Sequence, residues 1–257
     1  MKLNITKYNI CSDKFSCKFD KLRIAVLSDL HDTVHGEDNA RLFELIYNEK
    51  PDIVIIAGDL VTARRGRDYS PALVLLKRLA ENWPVYYGLG NHEQKLKEDS
   101  SAYIQKIKAM PGVIFLDNES IDIKEYGISV IGLSLPKKFY KKGRKILPEI
   151  TDIKKAIGEK ADMYTVLIAH NPVFFETYAE WGAELIFSGH LHGGIVRLPF
   201  VGGVLSPQVR FFPKYDKGMF KRGESTMIVS AGLGKHTIPV RLWNPAELLI
   251  IDLKNKN

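Results

Sequence analysis

Five short apolar runs in this chain each end at a cluster of polar side chains, and this feature constrains the fold more than any other. The runs and the residues that follow them are, in chain order, LRIAVLS before Asp29 and His31, DIVIIA before Asp59, PVYYGL before Asn91 and His92, TVLIA before His170 and Asn171, and ELIFS before His190 and His192. Continuous apolar runs of this length are typical of strands buried on both faces. Because the carboxyl ends of strands border the ligand crevice in open α/β sheets, we expect the five clusters to meet at one site.

The segments between these runs predict helices and a hairpin. A helix is expected from Asn39 as its N-cap to Pro51, and Ser70-Pro71 places an N-cap and a first-turn proline at the start of another. Ser100 is expected to begin a third helix. Two short runs flank Gly127 and predict a hairpin, a short helix is expected around residue 174, and TMIVSA and ELLIIDL predict two further strands. Residues 1–257 are therefore expected to form one α/β domain, with two packed sheets and helices outside.

Composition excludes several classes of protein. With 257 residues, 45% hydrophobic and 26% charged, the chain is neither a disordered tail nor a collagen-like fibre nor a disulfide-built miniprotein. No apolar run approaches the roughly 20 residues that span a bilayer, and MKLNITKYNI lacks the apolar region of a secretory signal. The expectation is a soluble, cytoplasmic protein. Cys11 and Cys17 are expected to be free thiols rather than a redox pair.

The residue types in the five clusters point to a metal site. Five of the seven histidines lie there, together with carboxylates and without any thiolate. Such a donor set suits divalent Mn, Fe, Zn, Co or Ni. Two ions held about 3.5–4 Å apart need a bridging anion, and Asp59, in the middle of the series, is the expected bridge.

The series D-x-H, GD, GNHE, H and GHxH, between residues 22 and 194, resembles the calcineurin-like metallophosphoesterase superfamily. The resemblance implies a four-layer α/β/β/α sandwich of two mixed sheets flanked by helices, with a dinuclear metal centre. Carried over residue by residue, it implies one ion held by Asp29, His31 and His192, a second held by Asn91, His170 and His190, and Asp59 bridging the two.

The C-terminal part has a finer resemblance. GHLHGG, YDKGMF, GLG and PVRLWNPAE are similar to a bacterial, membrane-associated branch of the superfamily that includes hydrolases of UDP-diacylglucosamine. That branch usually has threonine and glutamine where this chain has Leu191 and Ile195, and it often has an N-terminal transmembrane or export segment.

The expected reaction is hydrolysis of a phosphate monoester, diester or pyrophosphate bond by a metal-bridging hydroxide. His92 is the expected general acid for the leaving oxygen, with the orientation of Asn91 or a water as its alternative role. Asn171 is expected either to contact a phosphate oxygen or to cap the following helix. His35 could line the pocket, although a solvated loop position is favoured.

Charge leaves the substrate open. The net charge of +7 and the segment KKFYKKGRK, residues 137–145, are compatible with a phospholipid headgroup, with nucleic acid or with an ordinary exposed loop. The expected substrate is a phosphorylated small molecule, such as a nucleotide, or a lipid-linked one, with peripheral contact to an anionic membrane. The alternatives are a nuclease or cyclic-nucleotide phosphodiesterase and, from another class, a non-catalytic binding module. Such a module should lack one or more ligands, and none is missing here.

Overall fold

The computed structural model describes residues 2–15, 18–64, 66–98, 102–140, 146–194, 196–198, 202–205, 213–235 and 241–256. Strands account for much of this part of the chain. They are β1 (Leu3–Ser12), β2 (Leu22–Leu27), β3 (Ile53–Ala57), β4 (Val85–Gly88), β5 (Val113–Leu116), β6 (Glu119–Ile123), β7 (Ile128–Gly132), β8 (Tyr164–Ile168), β9 (Leu185–Ser188), β10 (Val196–Leu198), β11 (Gly202–Leu205), β12 (Gly218–Arg222), β13 (Ser225–Val229) and β14 (Ala246–Asn255).

The α-helices of the described residues lie between these strands. They are α1 (Ala40–Glu49), α2 (Ser70–Ala80), α3 (Asn91–Glu98), α4 (Ala102–Lys108), α5 (Ile150–Ile157) and α6 (Phe175–Trp181). Among the described residues, no helix combines the length and apolar character needed to cross a bilayer.

Two six-stranded mixed sheets form the centre of the molecule. The first has the order β1-β14-β2-β3-β4-β5, and the second has the order β12-β13-β9-β8-β7-β6. Strands β2 to β5 are mutually parallel, as are β7, β8, β9 and β13. A separate antiparallel ribbon consists of β10 and β11.

Three apolar clusters separate four layers. Strand β3 shows why its sequence is continuously apolar: Val54 and Ile56 pack against α1, α2 and α4, whereas Ile53 and Ile55 face the second sheet. A third cluster packs the outer face of the second sheet against α5 and α6, with Ile153 among its buried members. The predicted α/β/β/α sandwich of two mixed sheets flanked by helices is therefore confirmed.

Most predicted elements are present, with local differences. The hairpin of β6 and β7 is confirmed, with Gly127 at φ 63°. Asn39 does precede α1, but its side chain does not cap the helix: Oδ1 accepts the main-chain N–H of His35, and Nδ2 donates to the carbonyl of Pro71. Ser70 is the first residue of α2 rather than its N-cap, which is Tyr69.

Seven of these strands and α-helices were not predicted, namely β1, β5, β10, β11, β12, α3 and α5. The expected helix start at Ser100 lies outside the described residues, and so does Cys17. Cys11 is an exposed free thiol.

Candidate metal centre

The carboxyl ends of strands from both sheets meet at one edge of the sandwich. Asp29 follows β2 and its main-chain N–H donates to the carbonyl of Gly58, after β3, at 2.9 Å. In the second sheet, the main-chain N–H of Gly189, after β9, donates to the main-chain carbonyl of His170, after β8, at 3.0 Å. A contact between the sheets closes the site, because Nδ1 of His170 lies 2.7 Å from the carbonyl of Ala57. All seven predicted metal-binding residues stand at this edge.

Five of these seven residues have a left-handed backbone that is uncommon outside glycine. They are Asp29 (φ 52°), His31 (47°), Asp59 (55°), His190 (70°) and His192 (53°). Such conformations cost on the order of 1–3 kcal/mol each and cluster at functional sites. Neighbouring glycines permit the close approach, since a Cβ atom at Gly90 would collide with the Asp59 carboxylate and one at Gly189 with that of Asp29.

One group able to hold a metal ion consists of Asp29, His31 and His192. Nε2 of His192 lies 3.3 Å from Oδ1 of Asp29, and Nε2 of His31 lies 3.6 Å from the same oxygen. The two Nε2 atoms are 3.0 Å apart. All three side chains are buried, so their donor atoms converge on one point away from solvent.

A second group consists of Asp59, His170 and His190. Nε2 of His170 lies 3.0 Å from Oδ2 of Asp59. Because Nδ1 of His170 donates to the Ala57 carbonyl, its Nε2 lone pair is directed into the site, as in metal-binding histidines. Oδ1 of Asn91 is buried without a hydrogen-bond partner among the described residues. A buried oxygen of this kind fits a role as a metal ligand, since buried polar atoms otherwise find partners.

Asp59 stands between the two groups. Its Oδ2 is 3.0 Å from Nε2 of His170 in one group and 3.9 Å from Nε2 of His31 in the other. A carboxylate in this position is able to offer an oxygen to an ion on each side.

The electrostatics keep the carboxylates ionised in the absence of metal. Burial acts to raise the pKa of Asp29, but the imidazoles of His192, His170 and His31 outweigh it and hold that pKa well below its usual range. The pKa of Asp59 is also lowered, because His170 outweighs the effect of burial. Burial in turn acts to lower the pKa of His170, but Asp59 and Asp29 raise it to about 10.

His92 faces the same space from the start of α3. Its ring is 5.0 Å from that of His31, centroid to centroid, and it joins His31 and Asp59 in a third group whose donor atoms lie close together. The main-chain N–H of Ala63 donates to Nδ1 of His92 at 2.9 Å. In the neutral ring the proton must therefore be on Nε2, and burial lowers the pKa of this imidazole.

Glu93, the last residue of the GNHE motif, has a supporting position that its sequence pattern did not predict. Its buried carboxylate accepts the main-chain N–H groups of Asp59 and Leu60 at 2.8 Å, that of Gly90 at 3.0 Å and the Tyr87 hydroxyl at 2.9 Å. It thus ties the Asp59 loop to the Asn91 loop. Burial, reinforced by Asp59, raises the pKa of Glu93 to about 7.

Asn171 and His35 are the two remaining candidate residues, and the structure shows what each of them contacts. Oδ1 of Asn171 accepts the N–H of Val173 and caps the short 3-10 helix Pro172–Phe174. The favoured solvated position for His35 is wrong. His35 is buried, and its Nε2 donates to the carbonyl of Leu233 at 2.8 Å.

A pair of residues, Arg241 and Asn244, forms hydrogen bonds with the main chain around Asp29 and His192 of the first group. Each of the five guanidinium N–H groups of Arg241 has a main-chain carbonyl partner, three of them at Ala231, Gly232 and Gly234. Gly234 in turn donates to the carbonyl of Asp29 at 2.7 Å.

The second member of the pair is Asn244. Its side-chain Nδ2 donates to the carbonyls of His192 and Gly194. Both residues belong to the motif PVRLWNPAE, which is the one sequence signal that could have pointed to them.

Comparison with known proteins agrees with this geometry. An uncharacterized metallophosphoesterase of Aquifex aeolicus is 29% identical over 263 residues, covering 99% of this chain and 93% of that protein. The uncharacterized metallophosphoesterase YkuE of Bacillus subtilis is 23% identical over 266 residues, covering 99% and 87%. The fold is similar to that of a candidate 5′-nucleotidase from Staphylococcus aureus, with a TM-score of 0.51 and 14% identity over 83% of this chain and 49% of that one.

The family model of the calcineurin-like phosphoesterases matches residues 22–194, which include every cluster described above. The chain belongs to the calcineurin-like phosphoesterase family and is a metal-dependent phosphoesterase.

Proposed function

We propose that this enzyme hydrolyses phosphate esters or pyrophosphate bonds with two divalent transition-metal ions. The observation that supports two ions rather than one is the position of Asp59 between two separate groups of donor atoms. The proposed ligands are Asp29, His31 and His192 for one ion, Asn91, His170 and His190 for the other, and Asp59 for both. When bound, such ions polarise the phosphate and lower the pKa of a water molecule enough for it to act as a nucleophile near neutral pH.

The protein fixes the ligands through main-chain contacts. Both oxygens of Asp29 accept the N–H of His190, at 3.1 and 3.0 Å, so a ligand of one ion orients the loop that carries a ligand of the other. The N–H of His92 donates to Oδ1 of Asp59 at 2.9 Å, which leaves Oδ2 directed at the histidines. Preorganisation of this kind avoids reorganisation cost during the reaction.

His92 is the proposed general acid. Its Nδ1 is occupied by the Ala63 N–H, so Nε2 carries the proton in the neutral ring. From the neutral ring this N–H donates a hydrogen bond to a leaving oxygen on the His31 side of the site, whereas transfer of a proton takes place from the imidazolium, a form that the nearby Asp59 favours.

We further propose a lipid-linked substrate, with its phosphate in an ester or a pyrophosphate bond, presented at an anionic surface as in the membrane-associated branch that the C-terminal motifs resemble. Lys137 and Lys138 are exposed at the start of the basic segment, and Tyr140 at its described end lies 5.8 Å from the His190 ring. The rest of the segment, residues 141–145, lies outside the described residues. The competing proposals are a soluble nucleotide and a nucleic acid.

Elemental analysis and a phosphate-ester panel test the reaction. Wild-type protein loaded with Mn or Zn should contain about two ions per chain and hydrolyse at least one ester, and EDTA should abolish activity. Asp59→Asn should lose or weaken the second equivalent, whereas the matched control Asp122→Asn, on an exposed position of β6, should not. Wild-type protein that holds only a trace of metal would contradict the proposal.

Vesicle co-sedimentation tests the proposed binding to an anionic membrane surface. Binding to anionic vesicles at low salt is expected, because each basic residue near such a membrane contributes on the order of 1 kcal/mol. It should decrease at high salt and on changing Lys137, Lys138, Lys141 and Lys142 to Glu. Binding that ignores lipid charge, or that survives the reversal, would contradict the lipid proposal and leave the metal chemistry untouched.

A further inference from the structure

A loop whose described residues include two exposed arginines contacts the candidate general acid. The described residues 62–64 and 66–69, named here the arginine loop, follow the Asp59 strand end and carry Arg64 and Arg67. Ala63, the residue before Arg64, donates its main-chain N–H to Nδ1 of His92 at 2.9 Å. The backbone of this loop therefore contacts His92 at Nδ1, while Nε2 of the same ring is the nitrogen that acts on the leaving oxygen.

The arginine loop is anchored on both sides of that contact. The carboxylate of Asp32, next to His31, accepts the N–H of Thr62 at 3.2 and 3.3 Å and also its hydroxyl. The Tyr69 hydroxyl donates to the carbonyl of Thr62 at 3.0 Å and is within 3.3 Å of that of Arg64. The Asp32 contacts join the loop to the neighbour of His31, and the Tyr69 contacts hold the two ends of the loop together.

The two cations on this loop are not used to stabilise the fold. Among the residues that the structure describes, no carboxylate pairs with the Arg64 guanidinium, and Arg64 is exposed. The Arg67 side chain is 47% exposed, and its Nε lies 4.0 Å from Oδ2 of Asp32. A pair at that distance with a half-exposed cation contributes little to stability. The loop whose backbone contacts His92 thus carries two exposed cations that are available to an anion.

We propose that Arg64 and Arg67 bind a second phosphate carried by the leaving part of the substrate, so that this enzyme prefers pyrophosphate linkages to simple esters. The inference rests on the proposed function, because it takes His92 to mark the leaving side. The guanidinium fork matches phosphate oxygens bidentately and remains charged at all working pH values. A second phosphate bonded to the leaving oxygen would contact the arginine loop.

For a nucleoside diphosphate such as ADP the reaction balances without another reactant. A water molecule gives its hydroxyl to the β-phosphorus, and the bond from that phosphorus to the bridging oxygen breaks. The bridging oxygen leaves with AMP, whose phosphate is the anion that the two arginines would hold, and the remaining proton of the water passes to solvent.

Paired substrates test the inference. The double variant Arg64→Gln, Arg67→Gln should lose about 10- to 100-fold in kcat/KM on ADP, as expected for the loss of charge-assisted hydrogen bonds. On bis(p-nitrophenyl) phosphate, whose leaving group carries no phosphate, it should change less than about 3-fold. Arg64→Lys with Arg67→Lys should recover part of the loss, because charge is kept and bidentate geometry is not. The control Lys77→Gln, Lys221→Gln removes the same charge from exposed positions in α2 and β12.

Equilibrium binding separates failure of this inference from failure of the proposed function. The non-hydrolysable α,β-methylene-ADP should bind the arginine variant about tenfold or more weakly than wild type, whereas phenylphosphonate, which has one anion for the metal centre and no second phosphate, should bind both alike. Equal losses for both ligands, or no loss for either, would overturn the role of the arginines even if the enzyme is active. Wild-type protein that hydrolyses neither substrate would count against the proposed function, and the binding comparison would still decide on the arginines.

Discussion

Oε2 of Glu93 accepts the main-chain N–H of Asp59 at 2.8 Å, across the sandwich edge where two strand ends meet. The same oxygen accepts the N–H of Gly90 at 3.0 Å, so one carboxylate joins the loop of the shared aspartate to the loop of Asn91. The Glu93 carboxylate accepts hydrogen bonds from four donors, so a neutral side chain is a poor substitute for it.

Replacing Glu93 by Gln should therefore weaken both the fold and the metal centre. Glutamine offers one acceptor oxygen in place of two. Its NH2 group would lie opposite at least one main-chain N–H, which would then have no acceptor. The free energy of unfolding should fall by about 1–3 kcal/mol. Metal affinity should fall about 10- to 100-fold, because the loops of two ligands lose their common support.

Chemical denaturation and Mn²⁺ titration measure the two effects of Glu93→Gln. The matched change Glu180→Gln, at an exposed position of α6, should alter neither. Normal metal affinity in Glu93→Gln would show that the carboxylate does not position the ligands.

Metal binding should release at least one proton. In the metal-free protein His170 has a pKa of about 10, because Asp59 and Asp29 outweigh its burial. Below that pH its Nε2 is protonated and must lose the proton before it can bind an ion. Mn²⁺ affinity should therefore rise with pH, about tenfold per pH unit for each proton displaced.

Titration calorimetry in two buffers of different ionisation enthalpy counts the protons released. The measurement belongs near neutral pH, where His170 is protonated and the two aspartates are ionised. A buffer-independent enthalpy together with pH-independent affinity would contradict this prediction.

Asn244→Ala should weaken the first ion more than the second. The substitution removes both donors to the carbonyls of His192 and Gly194 and leaves the Asn91, His170 and His190 side untouched. Affinity for one of two equivalents should fall about 10- to 100-fold. Stepwise metal titration distinguishes this from general destabilisation, which would affect both equivalents. Asn82→Ala, which removes an exposed side-chain hydrogen bond to Arg78, is the control.

His92→Ala should discriminate between leaving groups. A general acid matters most when the leaving oxygen is strongly basic, so an alkyl phosphodiester should lose far more rate than a p-nitrophenyl ester, by about 10²-fold or more. Metal content should stay near that of wild type, because the neighbouring Asn91 is unchanged. Equal losses on both substrates would indicate that His92 orients a ligand or a water instead.

Much of the sandwich was predictable because buried strands leave a continuous apolar signal. DIVIIA and TVLIA are apolar on both faces and were recognised as strands, whereas β1 has alternating polar residues and is paired only by the distant β14. Pairing over such a separation has no local signature. Helix α3 was missed for a related reason, since its sequence is polar and its place depends on contacts of Glu93.

The candidate ligands were predictable because strand ends of parallel sheets converge whatever the details of packing. The supporting residues were not. Arg241 could have been read as a phosphate-binding arginine, and only the structure shows that all its N–H groups are taken by carbonyls. The burial of His35 likewise depends on the carbonyl of Leu233, far along the chain.

The order of strands in the first sheet also bears on biosynthesis. Because β14 lies between β1 and β2, that sheet cannot close until residue 255 has left the ribosome. Arg241 and Asn244, which brace Asp29 and His192, emerge only shortly before β14. A nascent chain thus exposes unpaired edges of β1 and β2 until β14 has been synthesised, and the half-site of Asp29, His31 and His192 gains its support from Arg241 and Asn244 only at that late stage.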